Sequence, residues 1–326
     1  MILNPKVIPV TANALIVHSG AIGDVVCSLP GIKHINNKYI FDFCCQKHIS
    51  PVVRKLPNVR NIFDISHPLI SSVFLSKIND QTKKWFSSYT YIVLFSFSKE
   101  WKRQFQKYHS NIYRISPRPF KDLSIHVSEF IIDSLINKQL ITDDIPMIKE
   151  LILQKKTKCY KNINLQRLES LAIIHPGSGS SFKNWPFDRF IALAKSLRKK
   201  GKTIKWLIGP AENDYIYYLN QNKESEKNIL QVDQLEDVIN VLDQANYYIG
   251  NDSGISHIAA LTGVNTIVIF GPSDLRRWAP IGPNVKVIPE KPVCPPCFEI
   301  GDRNCTHRNC LNDISVEKVL DIIFEN

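Results

Sequence analysis

The chain has 326 residues, of which 44% are hydrophobic and 22% charged; this suits a globular protein of two domains, each able to bury a core without disulfides or metals. Lys plus Arg number 41 against 30 Asp plus Glu, and the net charge of +11 favours an anionic partner: nucleic acid, an anionic membrane face or a phosphorylated substrate. No apolar run reaches the ~18 residues of a transmembrane helix and the N-terminus lacks signal-peptide features, so a cytoplasmic protein with eight reduced cysteines is expected.

In chain order, Ala14–His18 reads as a strand running into the loop Ser19-Gly-Ala-Ile-Gly-Asp24, and a helical pattern follows through Val25, Val26, Leu29, Ile32 and Ile35. Tyr39–Cys45 is an apolar run that reads as a strand, Val59–Ile65 reads as a strand too, and Tyr89–Phe97 is a continuous strand rich in aromatic and β-branched residues, as suits parallel strands covered on both faces. Val127–Ile136 is helical, and the polar, lysine-rich stretch from Asn137 to Gln166 is a candidate linker. The pattern then restarts. Strands are expected at Leu171–His175, Thr203–Ile208, Tyr247–Gly250 and Thr266–Phe270. Helices are expected at Phe187–Arg198, Leu235–Gln244, Ser253–Leu261 and Ser315–Phe324. Alternation of this kind in each half predicts two doubly wound α/β domains.

Three loops carry candidate chemistry. Gly20-Ala-Ile-Gly23-Asp24 sits where the first strand meets a helix, so Asp24 is either a helix N-cap or a general base aimed into a ligand crevice. It lacks the full G-x-G-x-x-G fingerprint, which argues against a dinucleotide cofactor. His175-Pro-Gly-Ser178-Gly179, with Lys183 close behind, can cradle a phosphate through backbone N–H groups and a lysine charge, or be an ordinary turn. Gly250-Asn-Asp252-Ser253-Gly254-Ile-Ser-His257 marks a strand-to-helix turn whose helix N-terminus suits a pyrophosphate. There, Ser253 has a plain reading as a cap and His257 as a core histidine. Cys294, Cys297, Cys305 and Cys310 form either a metal-binding loop or a packed, reduced one, and the metal question stays open. Lys99, Lys102, Arg103, Lys107, Arg114, Arg118 and Lys121 concentrate positive charge against only Glu100 and Asp122. No Asp-x-Asp triplet occurs, which favours a sugar-diphosphate chemistry in which protein groups, not a metal cofactor, neutralise the leaving group.

Taken in order, Ile22-Gly-Asp-Val25 with Leu29-Pro30, Lys183-Asn-Trp-Pro186, Asn251-Asp-Ser-Gly-Ile-Ser-His257 with Ala259-Ala260, and Phe270-Gly-Pro272 resemble glycosyltransferase family 9, the ADP-heptose:lipopolysaccharide heptosyltransferases. The cysteine loop followed by Leu311–Leu320 is similar to the family's heptosyltransferase II branch. The resemblance implies a GT-B fold of two Rossmann-like domains facing across a cleft. Residues 1–155 would bind the acceptor, and residues 156–326 the donor, with the cysteine loop and the last helix. It implies ADP-L-glycero-β-D-manno-heptose as donor and an anionic lipid-linked lipopolysaccharide core as acceptor, met by peripheral contact with the inner membrane's cytoplasmic face. No cofactor and no nucleic acid are expected. By motif position Asp24 would be the catalytic base. Ser178, Gly179, Lys183, Glu212, Asp252, Ser253, Gly254 and His257 would bind the donor, and Gly23, Lys99, Lys102 and Arg103 the acceptor. Three alternatives stay open: a same-fold transferase acting on a protein or another surface glycan, a non-catalytic nucleotide-binding module, and, more remotely, a basic nucleic-acid-binding protein.

Overall fold

The structure is a computed structural model describing residues 12–35, 39–75, 79–120, 124–141, 167–222, 224, 226–289, 291, 294–301 and 305–324. Backbone contacts divide it into two compact units. The first comprises residues 1–20, 31–117 and 131–145, and the second residues 21–30, 118–130 and 146–326.

The sheet of the first unit contains β1 (Ala12–His18), β2 (Tyr39–Cys45), β3 (Val59–Asp64), β4 (Tyr91–Phe95) and β5 (Ile112–Ile115) in the order β3-β2-β1-β4-β5. Every pairing is parallel. The central strands are buried along their length, Leu15, Ile16, Ile92, Val93 and Leu94 completely. This is why they read as continuous rather than alternating apolar runs. Asp42 is the one charged residue buried within β2. It is matched by Arg60 at 2.9 and 2.7 Å, the Asn61 amide at 3.0 Å and the Tyr89 hydroxyl at 2.7 Å. Helix α1 (Ile22–Ile32) follows β1, α2 (Asp80–Ser87) and α3 (Lys99–Gln106) flank β4, and α4 (Val127–Ile136) follows β5.

The second unit contains β6 (Leu168–His175), β7 (Thr203–Ile208), β8 (Ile229–Gln231), β9 (Ala245–Asn251), β10 (Asn265–Ile269) and β11 (Val285–Ile288). They form a parallel sheet in the order β11-β10-β9-β6-β7-β8. Counted from β6, this is the dinucleotide-fold order with its reversal between the first and fourth strands. Helix α5 (Phe187–Lys199) buries Phe190, Ile191, Leu193, Ala194 and Leu197, one stripe at helical spacing, and α9 (Val316–Phe324) packs beside it. Trp185 and Trp206 lie in the same apolar cluster. Full burial of such large side chains contributes about 1.5–3 kcal/mol each. Helices α6 (Asp214–Gln221), α7 (Leu235–Gln244) and α8 (Gly254–Thr262) complete the unit. This pair of Rossmann-like sheets is the GT-B pattern expected from the sequence. The candidate linker beyond residue 141, to Gln166, lies outside the described residues.

Candidate functional site

The reversal in the second sheet falls between β6 and β9, where His175 pairs in register with Gly250. Ligands of open α/β sheets bind beyond the carboxyl ends of strands at such a point. Asn251, fully buried, ties the two emerging loops together. Its Oδ1 accepts from the Trp185 N–H at 2.9 Å and its Nδ2 donates to the Pro176 carbonyl at 2.7 Å. The loop that leaves β6 is further stiffened by the Ser178 hydroxyl, 2.6 Å from Asn184 Oδ1, while Asn184 Nδ2 donates to the Tyr215 hydroxyl at 3.0 Å.

After β9 the chain turns through Asp252 into α8. Ser253 is the N-cap, its Oγ accepting from the Ser256 N–H at 3.3 Å. Its cap reading is therefore correct, and Ser253 also faces the cavity described next. Gly254 opens the helix against Ile22; a Cβ there would stand 3.0 Å from the isoleucine side chain, tight enough that the isoleucine would have to shift. The N-cap reading of Asp24 is incorrect. Helix α1 begins at Ile22 and Asp24 lies within its first turn, so its carboxylate is available to the cavity.

A cavity of about 440 Å³ within the second unit is lined by Gly23, Asp24, Arg118, Gly179, Lys183, Asp252, Ser253, Gly254 and His257, and by Ser273, Arg277, Trp278, Phe298 and Glu299. Burial raises the Asp24 carboxyl above its ordinary pKa, against the opposing pull of the Arg118 charge and a hydrogen bond from the Ala21 backbone. Arg118 stands 4.0 Å away. Lys183 pairs with Asp252 at 3.0 Å and lies 5.3 Å from the Phe298 ring centroid. His257 is buried, with Nδ1 3.7 Å from the Cys27 sulfur; burial pushes its pKa down to about 4, with His126 and Lys183 adding to the shift against Asp252. It is therefore a neutral imidazole near pH 7, and it packs in the core while still lining the cavity.

The same loop borders a second cavity of about 490 Å³, lined by Gly177, Ser178, Asn184, Glu212, Tyr215 and Tyr218 among others. Burial pulls the Glu212 carboxyl upward, but His175 and the Gly209 N–H outweigh it and hold the pKa below its ordinary value. The Gly209 N–H donates to Glu212 at 2.9 Å, and His175 Nε2 is 3.8 Å from the carboxylate. Thus Asp24, Gly23 and most of the expected donor residues meet in one cavity, while Ser178 and Glu212 meet in the adjoining one. Lys99, Lys102 and Arg103 line neither: they lie on α3 of the first unit, where Arg103 pairs with Glu100 at 3.2 Å. Arg114 of the same basic stretch is turned to the Ser96 carbonyl at 3.0 Å, and Lys121 lies outside the described residues.

Sequence reasoning missed Arg277 and Glu299, which carry no motif of their own. Arg118 was visible only as one charge among many. In the cysteine loop, Cys294 and Cys310 pack on the same apolar cluster. Burial first, and then the nearby Cys294, Cys297 and Cys305, push the Cys310 thiol up to about 11. Among the described residues no group of three or more His, Cys, Asp or Glu is placed to hold a metal ion.

The glycosyltransferase family 9 (heptosyltransferase) model matches residues 139–307, just over half of the chain. The chain belongs to this family. Among curated heptosyltransferases, the lipooligosaccharide heptosyltransferase 2 of Campylobacter jejuni subsp. jejuni serotype O:6 is 25% identical over 183 residues, which is 54% of this chain and 57% of that protein. The chain therefore spans little more than half the length of that relative. E. coli heptosyltransferase WaaC with ADP superposes with a TM-score of 0.66 at 17% identity, covering 96% of this chain and 99% of that one. The iron-containing dodecameric glycosyltransferase TibC from enterotoxigenic E. coli H10407 gives a TM-score of 0.57 at 13% identity, covering 97% and 76%. Both structural likenesses are of fold.

Proposed function

We propose that this heptosyltransferase moves a heptosyl group from ADP-L-glycero-β-D-manno-heptose to a hydroxyl of the lipopolysaccharide inner core, inverting the anomeric carbon. One observation carries the reading: a single cavity holds the Asp24 carboxylate, its proton affinity raised by burial, together with the Lys183 ammonium and the N-terminus of α8. A carboxylate whose pKa is moved toward the operating pH is a stronger base. Asp24 takes the proton of the acceptor hydroxyl, and the oxygen attacks the anomeric carbon. The bond from that carbon to the β-phosphate oxygen breaks, its electron pair leaving with ADP. Lys183 and the positive end of the α8 dipole balance the charge growing on the diphosphate.

The adjoining cavity suits the nucleoside, with Glu212 accepting from the ribose hydroxyls and Ser178 ordering the shared loop. On this reading residues 156–326 hold the donor and residues 1–155 the acceptor. No divalent cation is needed, a reading supported by the missing Asp-x-Asp triplet and by the cations at the cavity. The heptosyltransferase II branch is favoured by the Campylobacter relative and the cysteine loop. Among the described residues no helix is long and apolar enough to cross a membrane. Contact with the inner leaflet would then be peripheral, drawn by the charge of +11.

The test is incubation of purified protein with ADP-heptose and a heptose-deficient core acceptor, followed by mass and anomeric analysis. A single added heptose of inverted configuration is expected. Transfer only to a protein or another glycan would replace the acceptor, and neither binding nor turnover of ADP-heptose would overturn the donor.

A further inference from the structure

Arg277 is a cation in the short helix Leu275–Trp278, only 2% exposed, and it joins segments far apart in sequence. Its Nη1 donates to the Phe120 carbonyl at 3.0 Å and its Nη2 to the Pro119 carbonyl at 3.2 Å. Its Nε stands 3.8 Å from the Glu299 carboxylate. Two successive carbonyls held by two nitrogens of one planar fork is a match that a lysine's single nitrogen does not reproduce. The neighbouring acid, Asp274, is committed elsewhere. It caps its own helix and accepts from Arg276 at 2.9 and 2.8 Å. The residue just before the gripped pair is Arg118, whose guanidinium is 4.0 Å from Asp24.

We propose that Arg277 is a positioning residue: by gripping the Pro119 and Phe120 carbonyls it sets Arg118 beside the Asp24 carboxylate. The proposal rests on Asp24 as the base. Arg277 need not touch the substrate. It fixes the backbone from which the long, half-exposed Arg118 side chain reaches the base. The charged or titratable groups sharing this cavity are Asp24 and Arg118, Lys183 from the loop after β6, Asp252 and His257 from the turn and helix after β9, Arg277 itself and Glu299. Burial keeps His257 an uncharged imidazole near neutral pH, with its pKa pushed down to about 4, and Asp252 and Lys183 offset each other's charge at 3.0 Å. Arg118 is therefore the cation whose placement bears most on Asp24. Losing that placement removes an attraction that favours the charged form, so Asp24 should hold its proton to higher pH.

The experiment is a double-mutant cycle of Arg277→Lys and Arg118→Gln, read by the pH dependence of kcat/KM, by ADP affinity, and by ¹³C titration of Asp24 in the aspartate-labelled protein. Each single variant should shift the acid limb of the profile upward, so that turnover falls about tenfold or more below neutrality and recovers as pH rises. The double variant should shift no further than Arg118→Gln alone, and ADP affinity should stay within about twofold throughout. Additive shifts, or a large loss of ADP binding in Arg277→Lys, would overturn the proposal, the latter by making Arg277 a diphosphate ligand. Should Arg277→Lys melt, Glu299→Gln loosens the same guanidinium more gently and should move the Asp24 titration in the same direction; an unmoved titration counts against the proposal. The carbon titration needs no turnover. An inactive wild-type protein whose Asp24 still responds to both variants would refute the transfer reading and leave the positioning role standing.

Discussion

The Lys183 ammonium lies 3.0 Å from the Asp252 carboxylate, linking the loop that leaves β6 to the turn that leaves β9. The two strands are neighbours only because the sheet order reverses between them, so residues 69 positions apart share one cavity edge. Both side chains are largely buried, so on the proposed reading an incoming diphosphate would compete with Asp252 for the ammonium. Lys183→Ala should weaken ADP binding by about 1.5–3 kcal/mol, the usual worth of a hydrogen bond to a charged group. Part of that loss would come from the stranded Asp252 carboxylate repelling the ligand. Adding Asp252→Asn to Lys183→Ala should therefore recover some affinity by calorimetry, and a further loss instead would show that Asp252 itself binds the donor.

Asp24→Asn keeps the shape of the first turn of α1 and removes the base. Transfer should fall by about 10²–10⁴-fold, the typical worth of general-base catalysis, while ADP affinity changes little. In the wild type the acid limb of kcat/KM should lie above the ordinary carboxylate range, because burial outweighs Arg118 and the Ala21 backbone bond. The sign follows directly: a raised pKa means the active, ionised form is lost earlier as pH falls. An acid limb at or below the ordinary value, with full activity in Asp24→Asn, would reduce Asp24 to a first-turn acid that merely favours the helix dipole.

Most of this architecture was legible in the sequence because parallel strands covered on both faces announce themselves as predominantly apolar runs, even where Asp42 interrupts β2. Tyr39–Cys45, Thr203–Ile208, Leu235–Gln244 and Val127–Ile136 occur with the predicted limits. The edge strands β5, β8 and β11 were not visible; they have only 4, 3 and 4 residues and little continuous burial. The glycine turns marked the cavity because backbone approach is written into residue type. Its electrostatic frame was not written there. Arg277 works through backbone carbonyls, Asn251 pins loops from beneath, and the pairing of Arg118 with Asp24 depends on a long-range fold. None of these contacts leaves a local spacing to read.

Gly177 tests how tightly the nucleoside cavity is built. A Cβ at this position would overlap the Glu212 carboxyl, so the strand-end loop and the acid cannot both keep their places in Gly177→Ala. Overpacking of this kind typically costs about 1–3 kcal/mol. Urea denaturation should show that loss. Removing the side chain in the pair Gly177→Ala with Glu212→Ala should restore most of the stability without restoring nucleotide affinity. An unchanged denaturation midpoint in the single variant would mean that Glu212 has room to move and is not a fixed ribose contact.

Transfer should persist in excess chelator if, as proposed, Lys183 and the start of α8 hold the diphosphate charge, since the chain has no Asp-x-Asp triplet to bind a catalytic cation. The cysteine loop complicates the reading of this experiment. Burial first, and then the nearby Cys294, Cys297 and Cys305, raise the Cys310 thiol pKa to about 11, although the described residues present no formed metal cluster. A metal held there would serve stability, because Cys310 packs in the core of the second unit beside Leu311 and Trp185. Time course and rescue separate the two roles. Withdrawal of a catalytic Mg²⁺ stops turnover at once and re-addition restores it at once. Withdrawal of a structural metal lowers the melting temperature gradually, and Mg²⁺ does not reverse it. Cys294→Ala with Cys297→Ala should then reproduce the slow loss without chelator. Immediate, Mg²⁺-reversible inactivation of the wild type would overturn the metal-free mechanism, and it would require carboxylates of the cavity, Asp252 first among them, to take the place assigned here to Lys183.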